Sequence, residues 1–175
     1  SNRVVGMAGA LDGSRMAYQI TKSTGLDMQG IDSLVIGDHG VNMIPCPEAV
    51  NINGKSLSDI VSKEEMENII ERTRNGGAEI VSYLKTSGYY GPGRGIVHMI
   101  DAIFDDTKEV VASSVYLNGE YGHNDVCVGV PVVLGSKGVE SIIKLDLDQS
   151  TQEKFNNSVQ SIKDNINKIE QDVKK

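Results

Sequence analysis

The chain has 175 residues and a formal net charge of −7 at pH 7. This length is enough for one domain that buries roughly 70% of the surface that its unfolded chain exposes. The negative charge argues against nucleic acid or an acidic membrane surface as a partner, because both would repel it. The sequence contains no apolar run of the ~20 residues that a membrane span needs, and no signal-peptide pattern opens it.

The two cysteines, Cys46 and Cys127, lie in apolar, strand-like segments. Two thiols so placed make neither a secreted disulfide framework nor a zinc site. The cysteine pattern therefore favours a reducing compartment, and we expect a cytoplasmic protein without a metal site.

The first part of the chain predicts a strand, a helix and a hairpin. Residues 3–6 are typical of a short strand, and Asp12 is a reasonable N-cap for a helix that ends near Ser23. The stretches "SLVIGDH" (33–39) and "VNMIPCP" (41–47) predict two strands joined by a tight glycine turn, and "AVNINGKSLS" predicts a further strand and turn.

The middle of the chain predicts two more helices. Ser62 and Glu65 form a capping box that begins a helix, and the helical pattern resumes after Gly76 and Gly77 as "AEIVSYLK". The glycine pair predicts a kink, a break or a place where another backbone comes close. The next helix, "IVHMIDAIF", follows a glycine-rich turn, and Pro92 suits its first turn.

The remaining sequence predicts three strands and a long helix. The strands are "EVVASSVYL", "DVCVGVPVVLG" and "GVESIIKLDL". The helix carries apolar residues at alternating steps of four and three, namely Phe155, Val159, Ile162, Ile166, Ile169 and Val173. Fewer than three heptads favour packing on its own sheet over a coiled-coil seam. The element order predicts one α+β domain over residues 1–175, with antiparallel or mixed sheets packed against helices.

One histidine stands out among the three. His39 lies between Gly37 and Gly40 at the end of a predicted strand, where a rigid scaffold presents a side chain and glycines let a substrate approach. A turn histidine without a special role gives the same local pattern. His98 fits a packed or half-exposed position in an apolar helical run, and His123 fits an ordinary loop position.

Asp12 and Arg15 share one helix face, where a plain surface ion pair would look the same. A histidine that donates one ring nitrogen to a buried carboxylate has a fixed tautomer, and its other nitrogen can exchange a proton with a substrate hydroxyl. An arginine can bind a carboxylate through two parallel hydrogen bonds. Histidine, aspartate and arginine are together what oxidation of a 2-hydroxy acid requires, while the hydride acceptor must be a cofactor.

Four stretches resemble a known family. The stretches are "RVVGMAGALDGSRM", "VIGDHGVNMIP", "RTRNGGAEIVSYLKTSGYYGPG" and "YLNGEYGHNDVCVGVPVVLGSKGVESIIKLDL". In order, and over nearly the whole chain, they are similar to the C-terminal half of the lactate/malate dehydrogenase family, and most of all to its lactate-dehydrogenase-like malate dehydrogenase branch. In that family a dinucleotide-binding half precedes the substrate half, so we expect that half to be absent from this chain.

The resemblance implies roles for individual residues. The L-D-x-x-R motif implies that Asp12 holds the catalytic histidine and that Arg15 binds the substrate carboxylate. The G-x-H-G motif implies that His39 is the general acid/base. We therefore expect Asp12 to face His39 and Arg15 to face the substrate, with the aspartate and arginine not primarily each other's partners.

The family's loop before its later long helix lines the nicotinamide and substrate pocket. By resemblance, Gly88 would contact the substrate, and Met7 and Pro92 would contact the cofactor. The chain departs from the family pattern at Val41, where aspartate is usual, and at Gly13, where serine or threonine is usual. The "KTSGYY" loop is also one residue short.

The resemblance implies NAD-dependent, reversible oxidation of malate to oxaloacetate, performed by a homodimer or homotetramer. This chain alone would be inactive. One alternative is a lactate or other 2-hydroxy-acid dehydrogenase of the same family. An alternative of another class is a non-catalytic binding or assembly domain that kept the fold, and the intact set of Asp12, Arg15 and His39 argues against it.

Overall fold

The computed structural model describes residues 2–40 and 42–173 of the chain. Val41 therefore lies outside the described residues. The helices of the described part are α1 (Gly9–Thr24), α2 (Lys63–Leu84), α3 (Tyr90–Phe104) and α4 (Gln149–Val173). Its strands are β1 (Gly6–Met7), β2 (Ile31–Asp32), β3 (Val35–Gly37), β4 (Met43–Pro45), β5 (Asn51–Ile52), β6 (Lys55–Ser56), β7 (Glu109–Asn118), β8 (Asn124–Gly135) and β9 (Gly138–Ile142).

Two antiparallel sheets organise these strands. The larger sheet has the strand order β1-β7-β8-β3-β4, and β9 also pairs with β8. The smaller sheet has the order β2-β5-β6. Every strand pair of the described residues is antiparallel. The predicted α+β class is confirmed, in its antiparallel form, and so is the hairpin predicted around "GDHGVN", which is formed by β3 and β4.

The main hydrophobic core joins the larger sheet to α3 and α4. Met99 from α3 and Phe155 and Val159 from α4 are buried in one cluster with the inward side chains of β7 and β8. Phe155 is fully buried, and its ring lies 5.0 Å from that of Tyr121 between ring centroids. Burying a side chain of this size contributes roughly 1.5–3 kcal/mol.

A second core lies between α1, α2 and the smaller sheet. Met16 and Ile20 of α1 are fully buried there with Ile69 of α2, next to Ile52 of β5. The apolar face of α1 thus packs against both α2 and the smaller sheet, and the residues on its other faces are not part of this core.

The start of α1 corrects two predictions. The first strand is Gly6–Met7 rather than residues 3–6, and the helix begins at Gly9, with Ala8 rather than Asp12 at the N-cap. A side chain at Gly9 would place its Cβ 1.9 Å from the carbonyl oxygen of Val35, so the backbone of α1 starts directly against β3. Asp12 therefore lies inside the first helical turn.

The glycine pair in α2 does not interrupt the helix. Residues Lys63–Leu84 form one continuous helix through Gly76 and Gly77, so the predicted break is wrong. The capping box prediction is confirmed in its main element, because the Glu65 N–H donates to the Ser62 side chain at 3.2 Å. Pro92 lies in the first turn of α3, as predicted.

The last strand is shorter than the ten residues predicted for it. β9 ends at Ile142, although the N–H of Ile143 still donates to the carbonyl of Pro131 at 2.8 Å, and beyond the strand the hydroxyl of Tyr121 contacts the backbone. That hydroxyl donates to the carbonyl of Ile143 at 2.7 Å and accepts from the N–H of Leu145 at 3.0 Å. A side chain distant in sequence thus holds the backbone just beyond the strand, a contact that the local strand pattern could not indicate.

The long helix α4 packs on its own sheet through its first half only. Phe155 and Val159 are buried, whereas Ile166, Ile169 and Val173 are 40%, 64% and 81% exposed. The predicted packing is therefore confirmed for the N-terminal part of the apolar stripe. The C-terminal part of the stripe is exposed in this chain.

Cys46 is buried and Cys127 is exposed, and both are free thiols. Burial raises the pKa of the Cys46 thiol to about 12, and the nearby Glu48 carboxylate adds to this rise. Within residues 2–40 and 42–173, no cluster of histidine, cysteine or acidic side chains is suited to hold a metal ion. No helix of these residues has the length and apolar character required to cross a membrane.

Candidate active site

A buried carboxylate lies at the centre of the site. Asp12 has only 2% of its side chain exposed. Its Oδ1 accepts a hydrogen bond from Nη1 of Arg15 at 2.9 Å, and its Oδ2 lies 2.9 Å from Nδ1 of His39. Because an unpaired carboxylate would be costly to bury, these two contacts explain how the side chain is kept in the interior.

His39 is carried by the loop that follows β3. Two glycines with positive φ, Gly37 at 86° and Gly40 at 93°, turn the chain on either side of it. The backbone N–H of His39 donates to Oδ1 of Asp38 at 2.8 Å. The contact with an ionised, acceptor-only Asp12 assigns a proton to Nδ1. The other ring nitrogen, Nε2, then points away from Asp12, and 58% of the side chain is exposed.

Arg15 extends from α1 toward α2. Its side chain is 17% exposed, and its Nε is buried without a hydrogen-bond partner in the described part of the chain. A Cβ at Gly77 would lie 3.3 Å from Nη1 of Arg15, and one at Gly76 would lie 3.7 Å from Cδ. The glycine pair thus leaves room for the arginine, so the neighbour that comes close is a side chain rather than a backbone.

The relation between Asp12 and Arg15 differs from the expectation. Asp12 and Arg15 form a direct ion pair, so the prediction that they are not primarily each other's partners is wrong. Asp12 also contacts His39, so one carboxylate holds both side chains. This contact uses one of the five N–H donors of the guanidinium, which leaves others for a ligand.

A cavity of about 380 Å³ opens beside Arg15. Its walls are mostly apolar and include two of the residues assigned by resemblance, Gly88 and Pro92. The side chains and backbone that complete it come from α1, from α2 and from the start of α3, namely Leu11, Ser14, Tyr18, Gly77, Ile80, Leu84, Tyr89, Tyr90 and Gly91. An arginine with buried, unused donors beside an apolar cavity is suited to bind a small carboxylate.

Met7, His39 and Asp12 are not among the residues that line this cavity. Met7 packs against α3, where a Cβ at Gly95 would lie 2.9 Å from its sulfur. The structure therefore brings together Asp12, Arg15 and His39 by direct contact, and Arg15, Gly88 and Pro92 around one cavity. Met7 lies apart from both groups in the described contacts.

The two other histidines have partners of their own. Nε2 of His98 lies 3.3 Å from the carboxylate of Glu109, and Nε2 of His123 lies 2.8 Å from the side-chain oxygen of Asn156. His98 also borders a separate cavity of about 590 Å³, which includes none of Asp12, Arg15 and His39. These positions agree with the half-exposed and loop positions expected from the sequence.

Sequence reasoning missed one part of the site and left another unexplained. The sequence indicates a special role for the glycine pair in α2, but only the fold shows that its neighbour is Arg15 of α1. Gly13, where the family usually has serine or threonine, accepts a hydrogen bond from Oγ of Ser33 at 2.6 Å through its carbonyl. A Cβ at Gly13 would lie 2.9 Å from the Ser33 carbonyl oxygen, so glycine permits this close approach.

Comparison with known proteins identifies the family. Residues 9–173 match the model of the lactate/malate dehydrogenase, alpha/beta C-terminal domain. The chain belongs to the lactate/malate dehydrogenase family. It is 44% identical over 170 residues to a malate dehydrogenase of Aliarcobacter butzleri, an alignment that covers 97% of this chain and 54% of that protein. The chain thus spans about half the length of the curated relatives it matches.

Solved structures of the family share the fold of this chain. The malate dehydrogenase of Salinibacter ruber superposes with a TM-score of 0.94 at 35% identity, covering 97% of this chain and 56% of that one. The lactate dehydrogenase of Eimeria maxima, solved with NADH and oxamate, gives a TM-score of 0.91 at 35% identity. The superposition covers 94% of this chain and 53% of that one. Both malate and lactate dehydrogenases are therefore similar in fold to this chain.

The contact between Arg15 and the glycine pair can be tested by stability measurements. Replacing glycine by alanine inside a helix stabilises it by about 1 kcal/mol, because glycine loses more backbone entropy. Gly76→Ala should show this gain, since its methyl group would make an ordinary contact at 3.7 Å. Gly77→Ala should gain clearly less, because its methyl group would displace the Arg15 guanidinium. Urea unfolding of both variants measures the difference, and equal gains would contradict the contact.

Proposed function

We propose that this chain is the substrate-binding, catalytic half of an NAD-dependent malate dehydrogenase. The observation that carries the proposal is the buried Asp12 carboxylate, which holds both His39 and Arg15 at 2.9 Å. It fixes a proton acceptor and a carboxylate-binding group to the same anchor. Oxidation of a 2-hydroxy acid needs these two functions close together, one at the hydroxyl and one at the neighbouring carboxylate.

His39 would move the proton. During oxidation its Nε2 accepts the hydroxyl proton at C2, while the C2–H bond breaks and the C2–O bond becomes a carbonyl. Asp12 keeps the ring oriented through Nδ1 and balances the positive charge that the ring acquires. In the reverse direction the same nitrogen returns the proton to the oxygen at C2. Catalysis of this kind contributes typically about 10²–10⁴-fold in rate.

Arg15 would bind the C1 carboxylate of the substrate. One Nη1 donor is occupied by Asp12, and the buried Nε has no partner in the described residues, so the guanidinium retains donors for a second carboxylate. The apolar walls of the adjacent cavity, including Gly88, would exclude water around this contact. A charge-assisted pair is stronger in such surroundings and holds C2 in a defined position.

The donor set of the site requires a separate hydride acceptor, because histidine, aspartate and arginine side chains accept no hydride. NAD⁺, when bound, would accept the hydride that leaves C2. We propose that Pro92, which lines the Arg15 cavity, and Met7, which packs against α3 outside that cavity, contact its nicotinamide end. No stretch of this sequence has the G-x-G-x-x-G spacing, so the rest of the cofactor would be bound by another half of the whole protein. The structure of the Eimeria maxima relative contains NADH, which supports this choice.

Malate is the favoured substrate because relatives named malate dehydrogenase are 40–46% identical to this chain. The second candidate is lactate or another 2-hydroxy acid, since a lactate dehydrogenase solved with oxamate has nearly the same fold. A non-catalytic binding or assembly domain is disfavoured, because a packing role would not explain why an exposed histidine is held by a buried carboxylate.

We further propose that residues 1–175 form a C-terminal domain that works with a dinucleotide-binding half and within a homodimer or homotetramer. Large apolar side chains exposed on α2 and α3 support such contacts, among them Tyr83, Leu84, Tyr90, Ile96 and Phe104. A cytoplasmic location is also proposed, supported by the two free thiols.

Turnover by the whole protein tests the proposed function directly. The full-length protein should reduce NAD⁺ with malate at a far higher kcat/KM than with lactate, and the 175-residue chain alone should show no turnover. NADH formation followed by absorbance measures both. Preference for lactate would replace malate by the second candidate, and absence of activity with any 2-hydroxy acid would contradict a dehydrogenase.

His39→Asn should lower kcat by about 10²–10⁴-fold in the whole protein, because the amide cannot accept the substrate proton. The affinity for NAD⁺ should change little, since His39 contacts Asp12 rather than cofactor-binding residues. Steady-state kinetics and NADH titration separate these effects. His123→Asn, which changes a half-buried loop histidine outside the candidate site, is the matched control. A normal kcat for His39→Asn would show that His39 is only a turn residue.

Arg15→Lys should raise KM for malate steeply and lower kcat, since lysine cannot form two parallel hydrogen bonds with a carboxylate. Hydrogen bonds to charged groups contribute about 1.5–3 kcal/mol, so kcat/KM should fall roughly 10- to 100-fold. NAD⁺ binding and the melting temperature should stay near those of the unmodified protein. Arg94→Lys, in an exposed pair with Asp101, is the control. Unchanged kinetics of Arg15→Lys would show that Arg15 serves only its pair with Asp12.

A further inference from the structure

We propose that Ser158 of α4 is a positioning residue for His39, and this inference rests on the proposed catalytic role of that histidine. Ser158 is 1% exposed. Its hydroxyl oxygen accepts a hydrogen bond of 2.6 Å from the backbone N–H of Asp38, which directly precedes His39. A side chain 120 residues away in sequence therefore fixes the backbone of the loop that carries the histidine.

A second close contact between α4 and the loop accompanies this hydrogen bond. Gly37, the last residue of β3, has a φ of 86°, and a Cβ added to it would lie only 2.8 Å from Oγ of Ser158. Helix α4 thus approaches the loop so closely that only glycine fits opposite the hydroxyl. The start of the loop is held both by packing at Gly37 and by the hydrogen bond at the next residue.

His39 depends on this support because packing does little to hold its side chain. With 58% of that side chain exposed, the ring is oriented by its contact with Asp12 and by its own backbone. The backbone is fixed in turn through Asp38, whose Oδ1 accepts the N–H of His39 and whose own N–H donates to Ser158. A small displacement of the loop would move Nε2 relative to the substrate hydroxyl.

The position of Ser158 on its helix supports a specific role. It lies on the buried face of α4, between Phe155 and Val159, where an apolar residue would fit the pattern of the stripe. A hydroxyl in such a place is favourable when it satisfies a polar group that would otherwise be buried unpaired. The N–H of Asp38 is that group.

A purely structural role makes a different prediction from a positioning role. If Ser158 only satisfied a buried amide, its loss would lower stability while the folded protein kept its kcat. If it positions His39, its loss must lower kcat in protein that is fully folded at the assay temperature. A misplacement of about 1 Å can cost as much as 100-fold in rate.

The test uses the full-length protein with malate and NAD⁺. Ser158→Ala should lower kcat about 10- to 100-fold, with less than about threefold change in KM for malate or NAD⁺. Ser158→Cys retains a weak acceptor, so its kcat should lie between that of Ser158→Ala and that of the unmodified protein. Hydrogen–deuterium exchange should show faster exchange of the segment 37–40 in Ser158→Ala.

Ser161→Ala is the matched control. Ser161 lies one turn further along α4, and its hydroxyl accepts only a long contact of 3.4 Å from Asn42 at the surface. This variant should keep kcat within about twofold, since it leaves the Asp38 hydrogen bond intact.

Each outcome supports or overturns the inference. A folded Ser158→Ala protein with the kcat of Ser161→Ala would overturn it, as would a lower melting temperature without a change in kcat. If Ser158→Ala does not fold, Ser158→Cys decides by the same comparison. His39→Asn separates the two proposals: normal activity of that variant contradicts the proposed function, whereas an inactive His39→Asn beside a fully active Ser158→Ala contradicts only the role of Ser158.

Discussion

The burial of one carboxylate determines how the candidate site is built. Asp12 is 2% exposed and contacts Arg15 on its own helix, α1, and His39 on the loop after β3. Removing one partner of a buried charged pair costs about 3–5 kcal/mol, because the other charge is then uncompensated. The Arg15 contact therefore stabilises the buried Asp12 carboxylate, and the same carboxylate orients Arg15 and His39, the two groups proposed to act on the substrate.

Close backbone approaches make this arrangement possible. Gly9 lets the first turn of α1 meet β3, which places Asp12 opposite the loop that carries His39. Gly77 lets α2 pass beside the Arg15 guanidinium, which leaves its side chain only 17% exposed. A methyl group at Gly9 would overlap the carbonyl oxygen of Val35, and one at Gly77 would press on the Arg15 guanidinium at 3.3 Å. Glycine in a helix normally costs stability, so its use in α2 is explained by the arginine rather than by the helix.

These contacts show what the sequence could predict and what it could not. The local pattern marked Asp12, Arg15 and His39 as candidates, and the resemblance of the L-D-x-x-R and G-x-H-G motifs to the family assigned their roles. Local reasoning failed where a distant element decides the outcome. Asp12 is a good capping residue by type, yet the helix begins three residues earlier because of packing at Gly9. Ser158 carries no local signal at all, since its partner Asp38 is 120 residues away.

The exposure of the site residues has a mechanistic meaning under the proposed function. Arg15 is nearly enclosed, whereas 58% of the His39 side chain remains accessible, so this chain shields the carboxylate-binding group better than the proton-transfer group. Hydride transfer proceeds best where water is excluded, because water weakens the electrostatic contacts that favour the transition state. In the proposed enzyme, the surface that covers His39 would therefore come from the bound cofactor and the half that holds it. The chain by itself would enclose the group that binds the substrate carboxylate, whereas the proton-transfer group would be enclosed only when the cofactor side of the cleft is in place.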